Sequence, residues 1–464
     1  MNQPDILLVN PHFAEDHYAN FPLGLLYIAS VLRNKGYTVD VFDGTLKKTL
    51  ANFKNKIEKT CPKIVGITSL ITSRSDVMVI AEISKKYGCT VIVGGPDPTS
   101  EPNKYLGGNN KKIVDFVVSG EGEITMLELV NHLLRRGDFL PDVRNINGLC
   151  FLDKSGELIS TEKRLPIENL DTIPFPARDL VDMSEYKQFW KQHQEQWMIS
   201  MITSRGCPYS CTWCHKGIFG RTFRARSPVN IAEEMKEIKE HYNPDRISFQ
   251  DDTIGINRKW VFELRDAVLD NNAIIPFEIN SRVDLADILM LTALKDIGCE
   301  KIYFGVESGS QNVLDLMKKG TKVEQIYNAA NLCRQLGIEF HFFMMVGYPG
   351  ETFVDLKLSL DLLTKTLPDS FSTSIAYPLY GTDFYEIVKE NIHPRVMLPK
   401  VGENQLIFQR EGFNTRYYHW IQRLFQKEWQ VRRCREGYDV LPLSKRINDI
   451  IGLFVSRFMV KLLG

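Results

Sequence analysis

The chain has 464 residues, with 57 Lys and Arg side chains against 57 Asp and Glu, and 44% of its residues are hydrophobic. This ordinary composition excludes a disordered, collagen-like or low-complexity chain, and the length predicts about two to four domains. The net charge of zero argues against a dedicated nucleic-acid-binding protein, so no nucleic-acid partner is expected.

Targeting and redox signals favour a cytoplasmic location. No apolar run reaches the roughly 18 residues that a membrane-spanning helix needs. Residues 1–5 contain no basic segment of the kind that opens a signal peptide. The nine cysteines are odd in number and mostly scattered, which does not fit a disulfide framework. We therefore expect a cytoplasmic chain whose thiols are reduced.

Residues 1–140 alternate short apolar runs with stretches of helical spacing. The apolar runs are Asp5–Val9, Thr38–Phe42, Ile64–Thr68, Thr90–Val93 and Val114–Val118. Five strands joined through helices predict a doubly wound parallel sheet, an α/β domain of Rossmann-like type. Residues 141–195 interrupt the alternation, and Gly148–Phe151 with Glu157–Ser160 predict a hairpin within a linker.

The alternation resumes over residues 196–394. Its strand candidates are Met198–Thr203, Arg246–Gln250, Pro276–Asn280, Lys301–Gly305, Phe340–Val346 and Ser370–Ala376. Six such units predict a partial (β/α)6 barrel of TIM type, with ligands at the carboxyl ends of the strands. Residues 395–464 predict a C-terminal helical region. From Arg410 onwards this region has 11 Lys and Arg against 5 Asp and Glu, an excess of six positive charges.

Three cysteines follow the first predicted barrel strand with the spacing Cys-x3-Cys-x2-Cys. They are Cys207, Cys211 and Cys214. Three thiolates on one short loop can hold three irons of a 4Fe-4S cluster and leave the fourth iron open to a small molecule. A zinc site with His215 as the fourth ligand is the functional alternative. Three merely buried thiols fit poorly with a loop that also contains Gly206 and Pro208.

The motif Cys-x3-Cys-x2-aromatic-Cys, with Trp213 in the aromatic place, resembles that of the radical S-adenosylmethionine (radical SAM) superfamily. The resemblance implies that the open iron binds the amino and carboxylate groups of S-adenosylmethionine, which is cleaved to a 5′-deoxyadenosyl radical. Four segments at predicted strand ends fit the same family. They are Gln250-Asp251-Asp252-Thr253, Asn280-Ser281-Arg282-Val283-Asp284, Gly305-Val306-Glu307-Ser308-Gly309-Ser310 and Gly347-Tyr348-Pro349-Gly350-Glu351-Thr352.

The resemblance also implies roles for these strand ends. Asp251 or Asp252 would lie near the amino group, and Arg282 would pair with the carboxylate, which suits its fork of donors. Glu307 would face the ribose hydroxyls, and the backbone at Gly347 would approach the adenine. A strand-end capping role is the alternative for each. The predicted S-adenosylmethionine residues are Trp213, Gln250, Asp251, Asp252, Arg282, Glu307, Ser308 and Gly347.

Glycine-rich loops follow the predicted strands of the first domain and permit close approach of a large ligand. These loops resemble the cobalamin-binding domain that precedes many radical SAM barrels. The residues predicted to bind cobalamin are Leu23, Gly24, Thr68, Ser69, Gly94, Gly95, Pro96, Asp97, Gly120, Glu121 and Gly122. The first loop is not Gly-x-Gly-x-x-Gly, so a dinucleotide is unsupported. The motif Asp-x-His-x-x-Gly is absent, so no histidine is expected to bind cobalt through it.

The family resemblance predicts a cobalamin-dependent radical SAM enzyme. Its expected activity is methyl transfer to an unactivated carbon, or to a phosphinate phosphorus, through a 5′-deoxyadenosyl radical and methylcobalamin. The expected partners are a small-molecule substrate and a low-potential electron donor such as flavodoxin or ferredoxin.

Three alternatives to methyl transfer remain. The first is a cobalamin-dependent cyclase or rearranging enzyme. The second is a methylthiotransferase with a second cluster on Cys61, Cys89 and Cys150, although Cys61 and Cys89 precede strands and so lie opposite the ligand edge. The third is a non-enzymatic cobalamin sensor, which the cysteine loop disfavours.

Apolar residues near the C-terminus follow helical spacing. They are Ile447, Ile450, Ile451, Phe454, Val455, Phe458, Leu462 and Leu463. One interpretation is a helical cap that packs on the barrel. The other, favoured by Arg446, Arg457 and Lys461, is a helix on a membrane surface that delivers an apolar, lipidic substrate. The preceding aromatic residues, Tyr417, Tyr418, Trp420, Phe425 and Trp429, fit a substrate pocket or an aromatic core equally well.

Overall fold

The computed structural model describes residues 3–11, 19, 21–46, 49–108, 112–135, 142–392 and 414–463. Its first sheet has seven strands in the order β2-β1-β3-β4-β5-β6-β7. The strands are β1 (Ile6–Asn10), β2 (Val39–Asp43), β3 (Ile64–Thr68), β4 (Thr90–Gly94), β5 (Phe116–Val118), β6 (Leu149–Leu152) and β7 (Leu158–Ser160). Strands β1 to β5 are parallel, as the alternating pattern predicted.

The predicted hairpin extends this sheet. Strand β6 pairs antiparallel with β5, so that Val117 lies opposite Cys150, and β7 pairs antiparallel with β6. The sheet therefore has two more strands than the five predicted. Local patterning identified the hairpin, but it contains no information on the strand with which the hairpin would pair.

Among the described residues, seven helices lie in this part of the chain. They are α1 (Leu23–Asn34), α2 (Leu50–Thr60), α3 (Arg74–Lys86), α4 (Pro96–Ser100), α5 (Asn103–Leu106), α6 (Gly122–Leu134) and α7 (Met183–Gln194). A core of buried aliphatic and aromatic side chains lies between the sheet and α2 and α3, and includes Val65, Val91 and Phe53. The β-branched residues of the strands fit this pleated, fully buried surface.

The second large sheet has six strands in the order β15-β14-β13-β12-β11-β8, and β9 and β10 form a separate two-stranded sheet. The strands are β8 (Met198–Met201), β9 (Ser204–Arg205), β10 (Arg224–Ala225), β11 (Arg246–Phe249), β12 (Phe277–Ser281), β13 (Cys299–Glu307), β14 (Glu339–Val346) and β15 (Ser370–Ile375). Strands β12 to β15 pair in parallel. The predicted fold class, a Rossmann-like sheet followed by a partial barrel and C-terminal helices, is confirmed.

The remaining helices are α8 (Pro228–His241), α9 (Arg258–Asp270), α10 (Ile288–Asp296), α11 (Gln311–Leu316), α12 (Val323–Leu336), α13 (Phe353–Thr366), α14 (Asp383–Val388), α15 (Thr415–Arg435) and α16 (Leu443–Leu463). Several begin at side-chain caps that the sequence encodes. Ser227 accepts a hydrogen bond from the Asn230 amide before α8, where Pro228 occupies the first turn. Such caps satisfy amide groups that have no partner within the helix.

The described residues form two compact units. The first contains those of residues 3–207 and 216–248, and the second contains those of residues 208–215, 249–392 and 414–463. The two mutually packed C-terminal helices belong to the second unit, where α15 packs on α13 and β15. Its Tyr417, Tyr418 and Phe425 are buried in a core with Val346 and Leu356. These aromatic residues therefore form core.

The last helix does not pack through the apolar stripe that the sequence highlights. Helix α16 buries Gly452, Leu453, Ser456 and Val460. The stripe residues other than Leu463, which packs against the same core, are exposed. The expected helical cap therefore packs into the second unit through Leu453 and Val460, and not through the apolar stripe. No helix in the described part of the chain is long and apolar enough to span a membrane.

Candidate functional site

The parallel register of the first sheet brings its carboxyl ends to one edge. Thr68 lies beside Gly94, and Gly94 beside Val118. Gly95 follows with a φ of +113°, and an added Cβ would lie 2.7 Å from the Ser69 carbonyl oxygen. Glycine is therefore required at this position by both conformation and space. The predicted loops Thr68–Ser69, Gly94–Pro96 and Gly120 share this edge.

Asp97 lies in the first turn of α4, and its carboxylate is bound by other side chains of the protein. The Arg74 guanidinium donates to both oxygens, at 2.7 Å from Nε and 2.5 Å from Nη2, and the Tyr105 hydroxyl donates as well. Burial and this hydrogen bond raise the pKa of Tyr105. Tyr105 also bonds the Ser69 hydroxyl at 2.7 Å. Sequence reasoning missed Arg74 and Tyr105 because neither belongs to a strand-end motif.

Glu121 is buried between two arginines of the first unit. It pairs with Arg224 and, at 3.3 Å, with Arg205, which also pairs with Glu123 at 2.6 Å. All four side chains are at most 7% exposed. The Glu121 carboxylate thus forms ion pairs within the protein, which the sequence did not indicate.

The remaining predicted residues of the first unit lie at helix N-termini. Gly122 begins α6, and an added Cβ would lie 3.1 Å from the Ile28 side chain of α1. Its small size therefore permits close packing of the two helices. Leu23 and Gly24 begin α1, where Leu23 packs against a cluster around Tyr27. Gly24 has open space where a side chain would be.

The cysteine segment starts at a constrained glycine. Gly206 has a φ of +83°, and an added Cβ would lie 2.3 Å from the Thr222 carbonyl oxygen. The Cys207 amide donates to the Gly220 carbonyl at 3.4 Å, and the Lys216 ammonium donates to the Cys207 carbonyl at 3.2 Å. One backbone bond and one side-chain bond thus hold the chain at the first cysteine.

The rest of the cysteine segment is anchored in the second unit through Thr212. Its amide donates to the Met317 carbonyl at 3.1 Å, its carbonyl accepts from the Phe384 amide at 2.9 Å, and its hydroxyl bonds the Tyr348 hydroxyl at 2.6 Å. Trp213 packs against the apolar cluster that contains Met317, Tyr348 and Phe384. The aromatic position of the motif therefore fixes the loop between Cys211 and Cys214.

All nine cysteines are free thiols. Among the described residues, no three His, Cys, Asp or Glu side chains are grouped closely enough to hold one metal ion. A structural zinc ion needs its ligands at about 2.0–2.3 Å from a single centre. In a 4Fe-4S cluster each thiolate binds a different iron, so three thiols spread along a short loop suit it. Three cysteines on one short loop therefore have donors of the kind that a 4Fe-4S cluster binds.

Arg282 follows β12 and lies next to the cysteine segment. Its guanidinium stacks on the Tyr209 ring at 3.6 Å and lies 3.8 Å from Cys211 Sγ. It also donates to Asp284 at 2.9 Å and to the Lys319 carbonyl at 2.7 Å. A fixed positive charge therefore lies beside Cys211.

Glu307 ends β13 with a φ of +67° and is buried. Its carboxylate accepts from the Lys319 ammonium at 3.1 Å. That ammonium also lies 5.2 Å from the centre of the Trp213 ring. Lys319 was missed because it lies in the loop after α11 and not at a strand end.

The other predicted residues of the second unit differ in accessibility. Asp251 is buried, while Asp252 is exposed; Gln250 also has an exposed side chain. Ser308 is fully buried, and its hydroxyl bonds the Ser359 hydroxyl at 3.0 Å. The Gly347 amide donates to the Glu351 carboxylate at 2.6 Å. Ser308 therefore supports the strand-end turn through protein contacts.

One face of the second sheet carries aromatic and polar residues that sequence reasoning also missed. Tyr303 lies opposite His341, and Phe343 opposite Ser372, on neighbouring strands. The Tyr303 and Phe343 rings stack with centroids 5.6 Å apart. The His341 ring bonds the hydroxyls of Ser370 and Ser372, at 2.8 and 3.1 Å. Burial, aided by the charge of Lys301, lowers the pKa of His341 to about 4, so the ring is neutral near pH 7.

Two family models match the chain. Residues 13–130 match the B12 binding domain, and residues 201–363 match the Radical SAM superfamily. An uncharacterized methyltransferase of Pyrococcus horikoshii is 30% identical over 374 residues, which cover 80% of this chain and 79% of that protein. This chain belongs to the cobalamin-dependent radical SAM enzymes. The predicted family is confirmed, as are the three cofactors, a 4Fe-4S cluster, S-adenosylmethionine and cobalamin.

Other relatives of this cobalamin-dependent radical SAM enzyme have different names. A cytidylyl-2-hydroxyethylphosphonate methyltransferase of Streptomyces wedmorensis is 28% identical and aligns with 88% of this chain and 86% of its own length. An anaerobic magnesium-protoporphyrin IX monomethyl ester cyclase of Rubrivivax gelatinosus is 25% identical, with coverages of 80% and 67%. A putative methylthiotransferase of Methanocaldococcus jannaschii is 28% identical, with coverages of 84% and 81%.

A solved structure shows the same fold. The cobalamin-dependent S-adenosylmethionine radical enzyme OxsB, with aqua-cobalamin and S-adenosylmethionine bound, superposes with a TM-score of 0.79 at 18% identity. The superposition covers 99% of this chain and 72% of that one. The likeness therefore extends beyond the two family models.

Proposed function

We propose that this cobalamin-dependent radical SAM enzyme is a methyltransferase that acts on an unactivated carbon, or on a phosphinate phosphorus, of a small molecule. This proposal rests mainly on the 30% identical relative that is named a methyltransferase. That relative aligns with 80% of the chain, across both cofactor-binding domains. When bound, the cluster cleaves S-adenosylmethionine to a 5′-deoxyadenosyl radical and cobalamin carries the methyl group.

The proposed ligands of the cluster are Cys207, Cys211 and Cys214. The backbone bonds of Thr212 and the packing of Trp213 support this assignment, because they hold the loop in place without using the thiols. The Arg282 guanidinium lies 3.8 Å from Cys211 Sγ. A low-potential flavodoxin or ferredoxin is the proposed source of electrons for the cluster.

The second unit supplies the proposed binding groups for S-adenosylmethionine. Arg282 lies beside Cys211, and its guanidinium can pair with the carboxylate of S-adenosylmethionine. The same guanidinium already forms an ion pair with Asp284. The Glu307 carboxylate is proposed to accept hydrogen bonds from the ribose hydroxyls, and its ion pair with Lys319 would fix the orientation of the carboxylate. The exposed Asp252 is better placed than the buried Asp251 to meet an amino group.

The carboxyl edge of the first sheet is the proposed cobalamin site. Its glycines leave the backbone open to a large flat ligand, and its acidic residues Asp97 and Glu121 are already paired with arginines. These two carboxylates are therefore proposed to support the loops without contacting cobalt.

Replacing Gly95 by alanine is expected to weaken cobalamin binding about tenfold, because the positive φ and the Ser69 carbonyl oppose a side chain. Cobalt retained per chain after desalting measures the effect. The matched control is Gly66→Ala on β3, where an added Cβ would lie 2.8 Å from Leu8. It strains the core away from the ligand edge and should lower the melting temperature without loss of cobalt. Equal cobalt loss in both variants would contradict a direct role for the Gly95 loop.

The sheet face around Tyr303, His341 and Phe343 is the proposed substrate surface. It combines stacked rings with a neutral imidazole and two serine hydroxyls. Such a face suits a substrate with an apolar or planar body and a few hydrogen-bonding groups. Because the His341 ring is neutral, it would place no charge next to a radical intermediate of the substrate.

The cysteines do not support the methylthiotransferase alternative. Cys61 is exposed at the end of α2, whereas Cys89 is buried and donates to the Pro62 carbonyl at 3.1 Å. Burial raises the pKa of the Cys89 thiol to about 11, which disfavours an iron-binding thiolate. Cys150 lies on β6, within the antiparallel hairpin. The relative named a cyclase keeps cyclisation as the second candidate function.

Product analysis separates methyl transfer from cyclisation. Anaerobic holoenzyme is supplied with reductant, S-adenosylmethionine carrying a deuterated methyl group, and small-molecule fractions of a cell extract. Methyl transfer is expected to yield S-adenosylhomocysteine and 5′-deoxyadenosine in about a one-to-one ratio, in step with a labelled product, because each turnover uses the cofactor in two ways. Deoxyadenosine without matched S-adenosylhomocysteine, with an unlabelled product, would instead identify a cyclase or rearranging enzyme.

A further inference from the structure

Helix α16 exposes a continuous apolar surface, here called the C-terminal apolar face. It consists of Ile447, Ile450, Ile451, Phe454, Val455, Phe458 and Leu462. The spacing of these residues places them on one side of a helix. Each is between 43% and 66% exposed. Val440 and Leu443, immediately before and at the start of the helix, are 96% and 71% exposed and extend the surface.

The opposite side of α16 packs against α15. The C-terminal apolar face is therefore not the side of the helix that packs on α15. Gly452 lies so close to α15 that an added Cβ would be 3.1 Å from the Lys427 side chain. Leu453 and Val460 join the buried cluster of α15, and Asp449 pairs with Lys427 at 2.6 Å. Large aromatic residues therefore face outwards while a glycine and a serine face inwards. This reverses the usual arrangement of a helix in a core.

The net charge of the segment that carries the C-terminal apolar face is positive. Asp449 is the one acidic residue of α16, and it is buried against Lys427. Arg446 and Lys461 are exposed on the same helix. Over residues 414–463 there are 10 Lys and Arg against 4 Asp and Glu, an excess of six positive charges. A second copy of the chain would bring like charges together, whereas an anionic surface would complement them.

We infer that α16 lies in the interface of an anionic lipid membrane, with its apolar face among the acyl chains and its cations among the head groups. An amphipathic helix with phenylalanine and leucine on one side and basic residues at its margin has this property. Among the described helices, α16 included, none is long and apolar enough to cross a bilayer. This inference is independent of the reaction that the enzyme catalyses. It would place the enzyme where an apolar substrate is concentrated.

Flotation of the purified full-length chain with lipid vesicles tests the inference. Vesicles of phosphatidylcholine alone are compared with vesicles that contain about one third phosphatidylglycerol. The chain is expected to float with the anionic vesicles and to bind the neutral ones at least about tenfold more weakly. Phe454→Glu with Phe458→Glu should abolish flotation, and Arg446→Glu with Lys461→Glu should remove the preference for anionic lipid.

Leu289→Glu with Val354→Glu is the matched control, because these side chains on α10 and α13 are 60% and 64% exposed outside the C-terminal apolar face. This variant should float as the unchanged chain does, with iron and cobalt contents equal in all variants. Absence of flotation by the unchanged chain, or equal flotation by the Phe454/Phe458 variant, would overturn the inference. A dimer that only the Phe454/Phe458 variant dissociates, without vesicle binding, would identify a second copy as the occupant.

Discussion

Simultaneous replacement of Cys207, Cys211 and Cys214 by alanine is expected to abolish iron binding and the formation of 5′-deoxyadenosine. The unchanged chain should bind about four irons after anaerobic reconstitution, the content of one 4Fe-4S cluster. The thiolates of this segment are the proposed protein ligands, and Thr212 and Trp213 hold the segment without them. The variant should therefore keep its fold and its cobalamin while it loses the cluster. Iron analysis, visible absorption and cobalt analysis measure these outcomes.

The matched control replaces Cys61, Cys89 and Cys150 by alanine, and should leave the iron content unchanged. Eight irons in the unchanged chain, reduced to four in this control, would instead indicate the second cluster of a methylthiotransferase. Replacement of His215 by alanine should also leave the iron unchanged, since the cluster needs no fourth protein ligand. A lower zinc content in this variant would instead indicate a closed zinc site with His215 as its fourth ligand.

Replacement of Lys319 by methionine is expected to destabilise the second unit by about 3–5 kcal/mol, because it leaves the buried Glu307 carboxylate without its cation. Affinity for S-adenosylmethionine should fall as well, since the carboxylate would no longer be held in place. Thermal unfolding under anaerobic conditions and equilibrium dialysis with S-adenosylmethionine measure the two effects. Near-unchanged stability would mean that the pair contributes little.

Lys318→Met provides the control for this change. Lys318 is the neighbouring residue but is exposed, so its replacement should alter stability by no more than about 0.5 kcal/mol. The double variant Lys319→Met with Glu307→Gln should recover part of the stability, because it removes the unpaired charge. It should not recover binding of S-adenosylmethionine if the Glu307 carboxylate accepts the ribose hydroxyls.

The sequence was sufficient to predict the features that depend on local patterns. The alternation of apolar runs located the strands of both sheets to within a few residues, and parallel pairing followed from the helices between them. The cysteine spacing predicts the cluster loop because its three thiols lie within eight consecutive residues. The position of Arg282 directly after β12 likewise follows from the order of strand and loop.

Features that depend on tertiary approach could not be predicted. Arg74 is 23 residues from Asp97, and Lys319 is 12 residues from Glu307. No local pattern links either pair. Helix α16 shows a related limit: periodicity identifies which residues share a face, but it does not indicate whether that face is turned towards the core. Large exposed aromatic residues would have been assigned to the interior on hydrophobicity alone.

The ion pairs of Glu121 and Glu123 with Arg205 and Arg224 have a consequence for recombination of domains. The two glutamates lie within the segment that matches the B12 binding domain, and the two arginines lie within the segment that matches the Radical SAM superfamily. A chimera that takes one segment from a distant relative would bury guanidinium or carboxylate groups without their partners. A functional chimera of these two segments therefore requires that all four residues come from the same parent protein.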